Sequence, residues 1–219
     1  MQITYLGHSA FSLKGKNGIV VTDPFSSDMG LKMPKVSADF ITVSHDHSDH
    51  NAVDKISPTT RREHPFVIDA PGEYEVAGVS VFGFSTFHDN SQGSERGHNI
   101  IYTIHLDDLV VCHLGDLGHT LDEKTIEKLG VVDVLLCPVG GKFTIDPKTA
   151  VEVIQAIEPS YVIPMHYRTA AHANKVFGDL ATVEDFMKVY GVTKELVTSF
   201  TVTAGSLPEE TELVVMNPA

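Results

Sequence analysis

The segment 44–51, SHDHSDHN, concentrates the side chains best suited to chemistry, with His45, His47, Asp49 and His50 in six positions directly after an apolar run. Imidazoles and carboxylates are common ligands of divalent transition metals. A strand end would give His45 and His47 a rigid base, and Asp49 and His50 are expected near a helix start. One tetrahedral ion with an open position does not need four ligands from so short a segment, so the spacing predicts two ions.

Three later candidates also follow apolar runs: His88 after SVFGFSTF, Asp116 after LVVCHL, and His166 after SYVIPM. Strands of one sheet edge present their carboxyl ends on the same rim, where the ligand sites of α/β proteins lie. We therefore expect two sets of three protein ligands and one shared carboxylate. His98, in the same loop as His88, is the rival for the place of His88. The first set is His45, His47 and His88, the second is Asp49, His50 and His166, and Asp116 lies between them.

The motif HxHxDH at 45–50 resembles, without substitution, the signature of the metallo-β-lactamase fold hydrolases. The stretches GHS at 7–9, TDPF at 22–25, GD at 115–116 and PMHY at 164–167 are similar to its branch of small bacterial and archaeal metal-dependent hydrolases, which includes the ascorbate-6-phosphate lactonase type. The resemblance runs from Met1 to about Thr169. It implies an α/β (α+β) fold, the αββα sandwich, in which two mixed β-sheets pack together and helices cover the outer faces.

Two divalent ions about 3.5–4 Å apart can share a bridging water and lower its pKa toward about 7. The resulting hydroxide is the expected nucleophile, so no Ser or Cys is required. Asp49 and Asp116 are the candidates for orienting this hydroxide and moving its proton, and His119 is the candidate proton donor. The expected cofactor is a pair of divalent ions, zinc first, with manganese, iron or nickel also suited to His and Asp ligands.

The expected function is metal-dependent hydrolysis of a small ester, lactone, amide or phosphodiester. Three alternatives stay open: a nuclease acting on short RNA, a non-heme iron oxidoreductase on the same fold, and a non-catalytic metal-binding protein. A nuclease would be marked by an added nucleic-acid-binding segment or a basic patch, and neither is visible in the sequence. A two-iron electron-transfer protein would need a flavin domain, for which 219 residues leave no room.

Composition restricts the partners. Hydrophobic residues make up 42% of the chain and charged residues 21%, and the formal net charge is −13. This charge repels long nucleic acids and anionic membranes, so a small anionic or polar substrate in a local cationic site is expected. No apolar run approaches the roughly 20 residues of a membrane helix. The first ten residues lack signal-peptide features, so a cytoplasmic location is expected. The oligomeric state is left open.

We expect the strands and helices that position these residues to form a single domain over residues 1–219. Short β-branched runs fill the N-terminal half, and helices are predicted over 121–129, over 147–158 after Asp146, and from Thr182 to Gly191. Asp107-Asp108 is predicted to form a hairpin turn. The remaining expectations concern single residues. His8 is expected either to support a ligand or to be a structural histidine, and Asp23 is expected to anchor a metal-binding loop. Cys112 and Cys137 are expected as buried free thiols, and His64, His105 and His172 at the surface.

Overall fold

The computed structural model describes residues 1–27, 30–172 and 177–219. The first of its two large sheets has six strands, which are, in spatial order, β15 (Phe200–Thr201), β1 (Gln2–Gly7), β2 (Ala10–Lys14), β3 (Ile19–Thr22), β5 (Phe40–Thr42) and β7 (Phe66–Ile68). The strands from β15 to β3 are antiparallel neighbours, whereas β3, β5 and β7 run parallel. The parallel pairing brings the carboxyl ends of β3 and β5 to the same edge of the sheet.

The second sheet has seven strands, which are, in spatial order, β16 (Glu212–Leu213), β13 (Tyr161–Met165), β12 (Val134–Pro138), β11 (Leu109–His113), β10 (His98–Leu106), β9 (Val79–Phe87) and β8 (Gly72–Val76). The strands β8 to β11 are antiparallel, and β11, β12, β13 and β16 are parallel. Asp107 and Asp108 connect β10 to β11 with φ angles of 58° and 59°, the left-handed pair that a two-residue hairpin turn requires. The predicted turn is therefore confirmed.

Smaller elements close the loops around these sheets. Two short parallel pairs are present, β4 (Ser37–Ala38) with β6 (Ser57–Pro58) and β14 (Leu196–Val197) with β17 (Val215–Met216). Single 3-10 turns occupy Val53–Lys55 and Ala204–Ser206. Because β4 and β6 flank the segment 44–51 in the chain, their pairing closes the loop that carries this segment.

Among the described residues, the α-helices are α1 (Glu123–Leu129), α2 (Pro147–Ile157) and α3 (Val183–Tyr190). The side chains of Asp122, Asp146 and Thr182 each accept a backbone N–H of the first helical turn, which is why the helices begin there. The predicted helices are thus confirmed within two residues. The helices α2 and α3 pack on each other, and α2 packs on β12. No helix in the described ranges has both the length and the apolar character to cross a bilayer.

The main core lies between the two sheets. Buried side chains from β1, β2 and β3 pack in one cluster with side chains from β9, β10, β11 and β12. The Tyr102 hydroxyl on β10 lies 2.9 Å from the Val43 carbonyl oxygen and 3.1 Å from that of Ile68, which ties the second sheet to the first. Cys112 and Cys137 are buried free thiols as predicted, and burial raises the pKa of each. Two mixed sheets packed together with helices outside confirm the predicted sandwich class.

Candidate metal centre

The ends of four strands converge at one edge of the sandwich. The segment 44–51 follows β5, His88 follows β9, Asp116 follows β11, and His166 follows β13. Their side chains meet in three overlapping groups of possible metal ligands, in each of which the ligand atoms lie within 4.8 Å of one another. The sheet topology therefore brings together every residue of the two ligand sets expected from sequence, together with the carboxylate between them.

The first group consists of His45, His47 and His88. The ring centroids of His45 and His88 are 4.7 Å apart, and those of His47 and His88 are 5.3 Å apart. His88 is buried, whereas His47 is exposed to solvent. The alternative residue His98 is exposed and its ring lies against Phe87, so the structure places His88 rather than His98 in this group.

The second group consists of His8, Asp49, His50 and His166. Its three histidines are fully buried, and the Asp49 side chain is 25% exposed. The Nε2 atom of His8 lies 3.4 Å from Asp49 Oδ2, and its ring centroid lies 4.1 Å from that of His166. Sequence reasoning did not assign His8 as a ligand. The sequence feature that could have identified it is its position directly after β1, since the other members of the cluster also lie in segments that follow a strand.

The third group consists of His45, His50 and Asp116, so it joins the other two. Asp116 lies between them and is 2% exposed. Its Oδ2 atom is 3.3 Å from His88 Nε2 and 3.1 Å from His166 Nε2, and its Oδ1 atom is 3.3 Å from His50 Nε2. Burial opposes ionisation of this carboxyl, but the neighbouring His166 and His50 outweigh burial and hold its pKa well below the usual range. One ionised carboxylate therefore contacts a ring from each group.

The cluster fits divalent cations because the described part of the chain leaves many of its polar atoms without a hydrogen bond. These atoms are the buried Nε2 atoms of His45, His50 and His166, both ring nitrogens of His8, and Asp116 Oδ1. Each unsatisfied buried group costs about 1–3 kcal/mol, so their concentration in one volume marks a place for an ion. Burial lowers the pKa of His8 and His45 to about 3, which leaves these imidazoles neutral and able to donate a lone pair.

Asp23, at the end of β3, orients one ring of each group. Its Oδ2 atom accepts a hydrogen bond from His50 Nδ1, at 2.8 Å, and another from the Ser44 hydroxyl. The same hydroxyl lies 2.9 Å from His45 Nδ1. When the Nδ1–H of both histidines points to these oxygens, the Nε2 lone pairs are left free for metal, which is the usual role of such outer partners.

Replacing Asp23 by Asn should weaken metal binding by about 10- to 100-fold, because the amide nitrogen cannot accept the bonds that orient His50 and Ser44. Competition between the protein and a chromogenic chelator measures this affinity. Asp46→Asn is the matched control, since Asp46 lies in the same segment but is exposed. Equal metal affinity in Asp23→Asn and the unmodified protein would show that the carboxylate does not orient the rings.

Two buried residues hold the loop that carries Asp116. The Asp116 backbone N–H donates to Asn99 Oδ1 at 2.9 Å, and the Asn99 amide donates to the Leu114 carbonyl. His113 Nε2 donates to the Ser9 carbonyl, and its Nδ1 accepts the Gly115 N–H at 3.1 Å. Gly115 has a φ of 57°, and a Cβ there would overlap Asn99. The loop is thereby fixed against both β10 and the turn after β1.

His8 and His166 share an unusual backbone conformation, with φ angles of 53° and 52°. The His166 N–H and the Tyr5 hydroxyl both donate to the His8 carbonyl oxygen, each at 2.8 Å. Non-glycine residues held in the left-handed region concentrate at functional sites, where surrounding bonds maintain the strain. The hydrogen bond between the two backbones therefore holds the residues together, and their ring centroids lie 4.1 Å apart.

The structure does not bring His119 into the cluster. Its Nε2 accepts the Phe87 N–H at 3.2 Å, and its Nδ1 donates to the Thr120 carbonyl at 2.7 Å. Its two ring nitrogens are thus both engaged with backbone. His64 and His105 are exposed as expected, but His172 is 4% exposed and the expectation of a surface position was wrong. Its ring centroid lies 5.5 Å from that of Phe177 and 5.8 Å from that of His8, and the local sequence gave no signal for the long-range contact with His8.

The helix start expected near Asp49 and His50 is absent, and a turn takes its place. The N–H groups of His50 and Asn51 both bond the His47 carbonyl. The Ala52 N–H bonds the Pro24 carbonyl, and the Ser48 carbonyl accepts the Ser26 N–H, so the backbone also pairs with the loop after β3. This pairing fastens Asp49 and His50 to the loop that begins at Asp23.

Comparison with known proteins places this cluster in a family. A β-lactamase superfamily domain model matches residues 2–166. A UPF0173 metal-dependent hydrolase from Desulforamulus reducens is 32% identical over 196 residues, which cover 77% of this chain and 85% of that protein. Another from Thermococcus onnurineus is 29% identical over 220 residues, covering 90% and 95%.

A crystal structure from Thermotoga maritima, provisionally assigned as a Zn-dependent hydrolase of the metallo-β-lactamase superfamily, superposes with a TM-score of 0.78. It is 38% identical, and the match covers 98% of this chain and 97% of that one. The family model spans well over half of the chain and ends at His166, a residue of the second group. The chain therefore belongs to the β-lactamase superfamily domain family and is a metal-dependent hydrolase of the metallo-β-lactamase superfamily.

Proposed function

We propose that the chain binds two divalent metal ions and hydrolyses a small ester, lactone, amide or phosphodiester. The observation that carries this proposal is Asp116, an ionised carboxylate in contact with rings of both groups. It lies among buried nitrogens for which the residues that the structure describes offer no hydrogen bond. One ion would be held by the first group and the other by the second, with Asp116 shared. The ligands would be His45, His47 and His88 for one ion, and His8, Asp49, His50 and His166 for the other.

Bound divalent cations would supply Lewis acidity at the scissile group and lower the pKa of water toward neutrality. Asp49 accepts the proton of the attacking water, because it is ionised and partly open to solvent. Burial opposes its ionisation, but His8 and His50 outweigh burial and lower the pKa of Asp49. Asp116, which is nearly inaccessible, orients the attacking water. His119 stays outside this proposal, since both its ring nitrogens bond backbone atoms.

Exposure indicates the side from which a substrate approaches. His47 is exposed and Asp49 is 25% exposed, whereas His8, His50 and His166 are inaccessible to solvent. The substrate therefore reaches the centre over His47 and Asp49, and the histidines of the second group form its floor.

The charge balance favours a small anionic or polar substrate. Two divalent cations outweigh the carboxylates of Asp49 and Asp116, so the loaded centre is locally positive in a chain of net charge −13. That overall charge disfavours long nucleic acids and anionic membranes as partners. Zinc is the proposed metal, supported by the assignment of the Thermotoga maritima relative, although manganese, iron and nickel also suit His and Asp ligands.

Reconstituted protein should contain two ions per chain and turn over at least one small substrate. Elemental analysis measures the ions after reconstitution with zinc, manganese, iron or nickel. A panel of lactones, esters, amides and bis(p-nitrophenyl) phosphate, followed by single-stranded RNA, measures the activity. One ion per chain under excess metal would contradict the two-ion centre. Salt-sensitive RNA cleavage without small-molecule turnover would favour the nuclease alternative, and iron-dependent oxygen consumption would favour the oxidoreductase.

A further inference from the structure

His172 is a buried imidazole next to the second group that the proposed hydrolysis does not use. It is 4% exposed, and its ring centroid lies 5.8 Å from that of His8. The Phe177 ring packs against both histidines, at 5.5 Å from His172 and 5.7 Å from His8. The imidazole therefore shares an apolar wall with one of the candidate ligands.

The hydrogen bonds of His172 fix the position of its proton. The Thr169 backbone N–H donates to His172 Nδ1 at 3.0 Å, so this nitrogen presents a lone pair. An imidazole whose Nδ1 accepts a hydrogen bond carries its proton on Nε2, so His172 presents an Nε2–H.

This Nε2–H is a donor without an acceptor. The atom is buried, and nothing in the described part of the chain accepts its hydrogen bond. A protonated Nε2 has no lone pair for a cation, and His172 belongs to none of the three groups of possible metal ligands. By contrast, His113 and His119 use both ring nitrogens in bonds to backbone. His172 therefore offers a hydrogen bond that neither the fold nor a metal ion takes.

We propose that the His172 Nε2–H donates to an oxyanion of the substrate, a phosphate or carboxylate oxygen, that also lies on the second metal group. This inference rests on the proposed function and names its substrate class. An oxyanion satisfies the donor and the cation together, and the Phe177 wall excludes the water that would weaken the bond. Hydrogen bonds to charged groups are about twice as strong as neutral ones, so a single donor is enough to favour a substrate with an anionic oxygen over a neutral one.

The test uses cobalt-loaded protein, whose visible absorption reports ligands that reach the metal. Inorganic phosphate and acetate are titrated separately at neutral pH. The unmodified protein should bind at least one of the two anions, and His172→Phe should bind it about 10- to 100-fold more weakly. His172→Gln, which can place an amide N–H near the position of Nε2, should recover part of the affinity. Cobalt content and the spectrum before anion addition should be the same in all three proteins.

The two anions separate the substrate classes, since binding of phosphate alone indicates phosphoryl substrates and binding of acetate alone indicates carboxylates. Equal anion affinity in His172→Phe and the unmodified protein would overturn the proposal, and so would the absence of any response to either anion. Loss of cobalt from His172→Phe would overturn it too, because the residue would then support the metal. Cobalt loading and hydrolysis are measured separately, so failure of the hydrolase proposal is distinguishable from failure of this one.

Discussion

Replacing Asp116 by Asn should lower kcat/KM by roughly 10²- to 10³-fold, the scale of removing one preorganised electrostatic group from an active site. The amide keeps the shape of the side chain but loses the charge that faces His50, His88 and His166. Metal content should fall below two ions per chain, because the proposed shared ligand is gone. Kinetics on the best substrate of the panel, with elemental analysis of the same samples, measure both effects.

The control for this variant is Asp108→Asn. Asp108 is exposed in a left-handed turn where Asn is also well tolerated, so activity and metal content should stay unchanged. If Asp116→Asn retained two ions and full activity, the assignment of Asp116 as the shared carboxylate would be wrong.

Removal of metal by a chelator should lower the thermal midpoint by roughly 10–20 °C. Each ion whose free concentration is about 100 times its Kd adds about 2.7 kcal/mol to the free energy of unfolding. In a chain of this size, each kcal/mol raises the thermal midpoint by about 2–4 °C. The metal-free protein should still melt cooperatively, because the core between the two sheets consists of apolar side chains and includes none of the ligands. Calorimetry before and after chelation measures the shift, and a metal-free protein without a cooperative transition would contradict this view.

The size of this shift should depend on pH through His50. Burial opposes protonation of His50, but Asp116 and Asp23 outweigh it and raise its pKa well above the usual value. The metal-free protein therefore holds a proton that the metal must displace. Stabilisation by metal is complete only above the pKa of His50 and decreases as the pH falls below it. A calorimetric shift that grew on acidification would contradict this sign.

The ligand sets could be predicted from sequence because their members share two properties that sequence shows directly. His45, His47, Asp49 and His50 are adjacent in the chain, and His88, Asp116 and His166 each follow an apolar run that must be a strand. The carboxyl ends of strands that run in the same direction meet at one edge of a sheet whatever the details of the register, so their convergence could be expected before the strand order was known.

Some residues were not predicted from sequence because their positions depend on strand register and on the paths of loops. Asn99 lies near the start of a strand, and only the pairing of β10 with its neighbours places its amide oxygen at the Asp116 N–H. The Pro24 and Ser26 backbone groups replace the expected helix after Asp49, which no local propensity encodes. His172 lies beside the ring of His8, which is far from it in the chain, so its local sequence carried no sign of this contact.

The left-handed backbones of His8 and His166 restrict which sequences can occupy these positions, independently of any chemistry. In a saturation library at either position, the folded fraction should be ordered by tolerance of positive φ, with Gly and Asn ahead of Ala and with Val, Ile and Thr last. A split-reporter screen for folding, run without metal, would expose this order. Tolerance of substitutions at these two sites would thus depend first on backbone geometry and second on ligand chemistry. Loss of activity in an Ala or Val variant would therefore not separate the effect of losing the imidazole from the effect of disturbing the backbone.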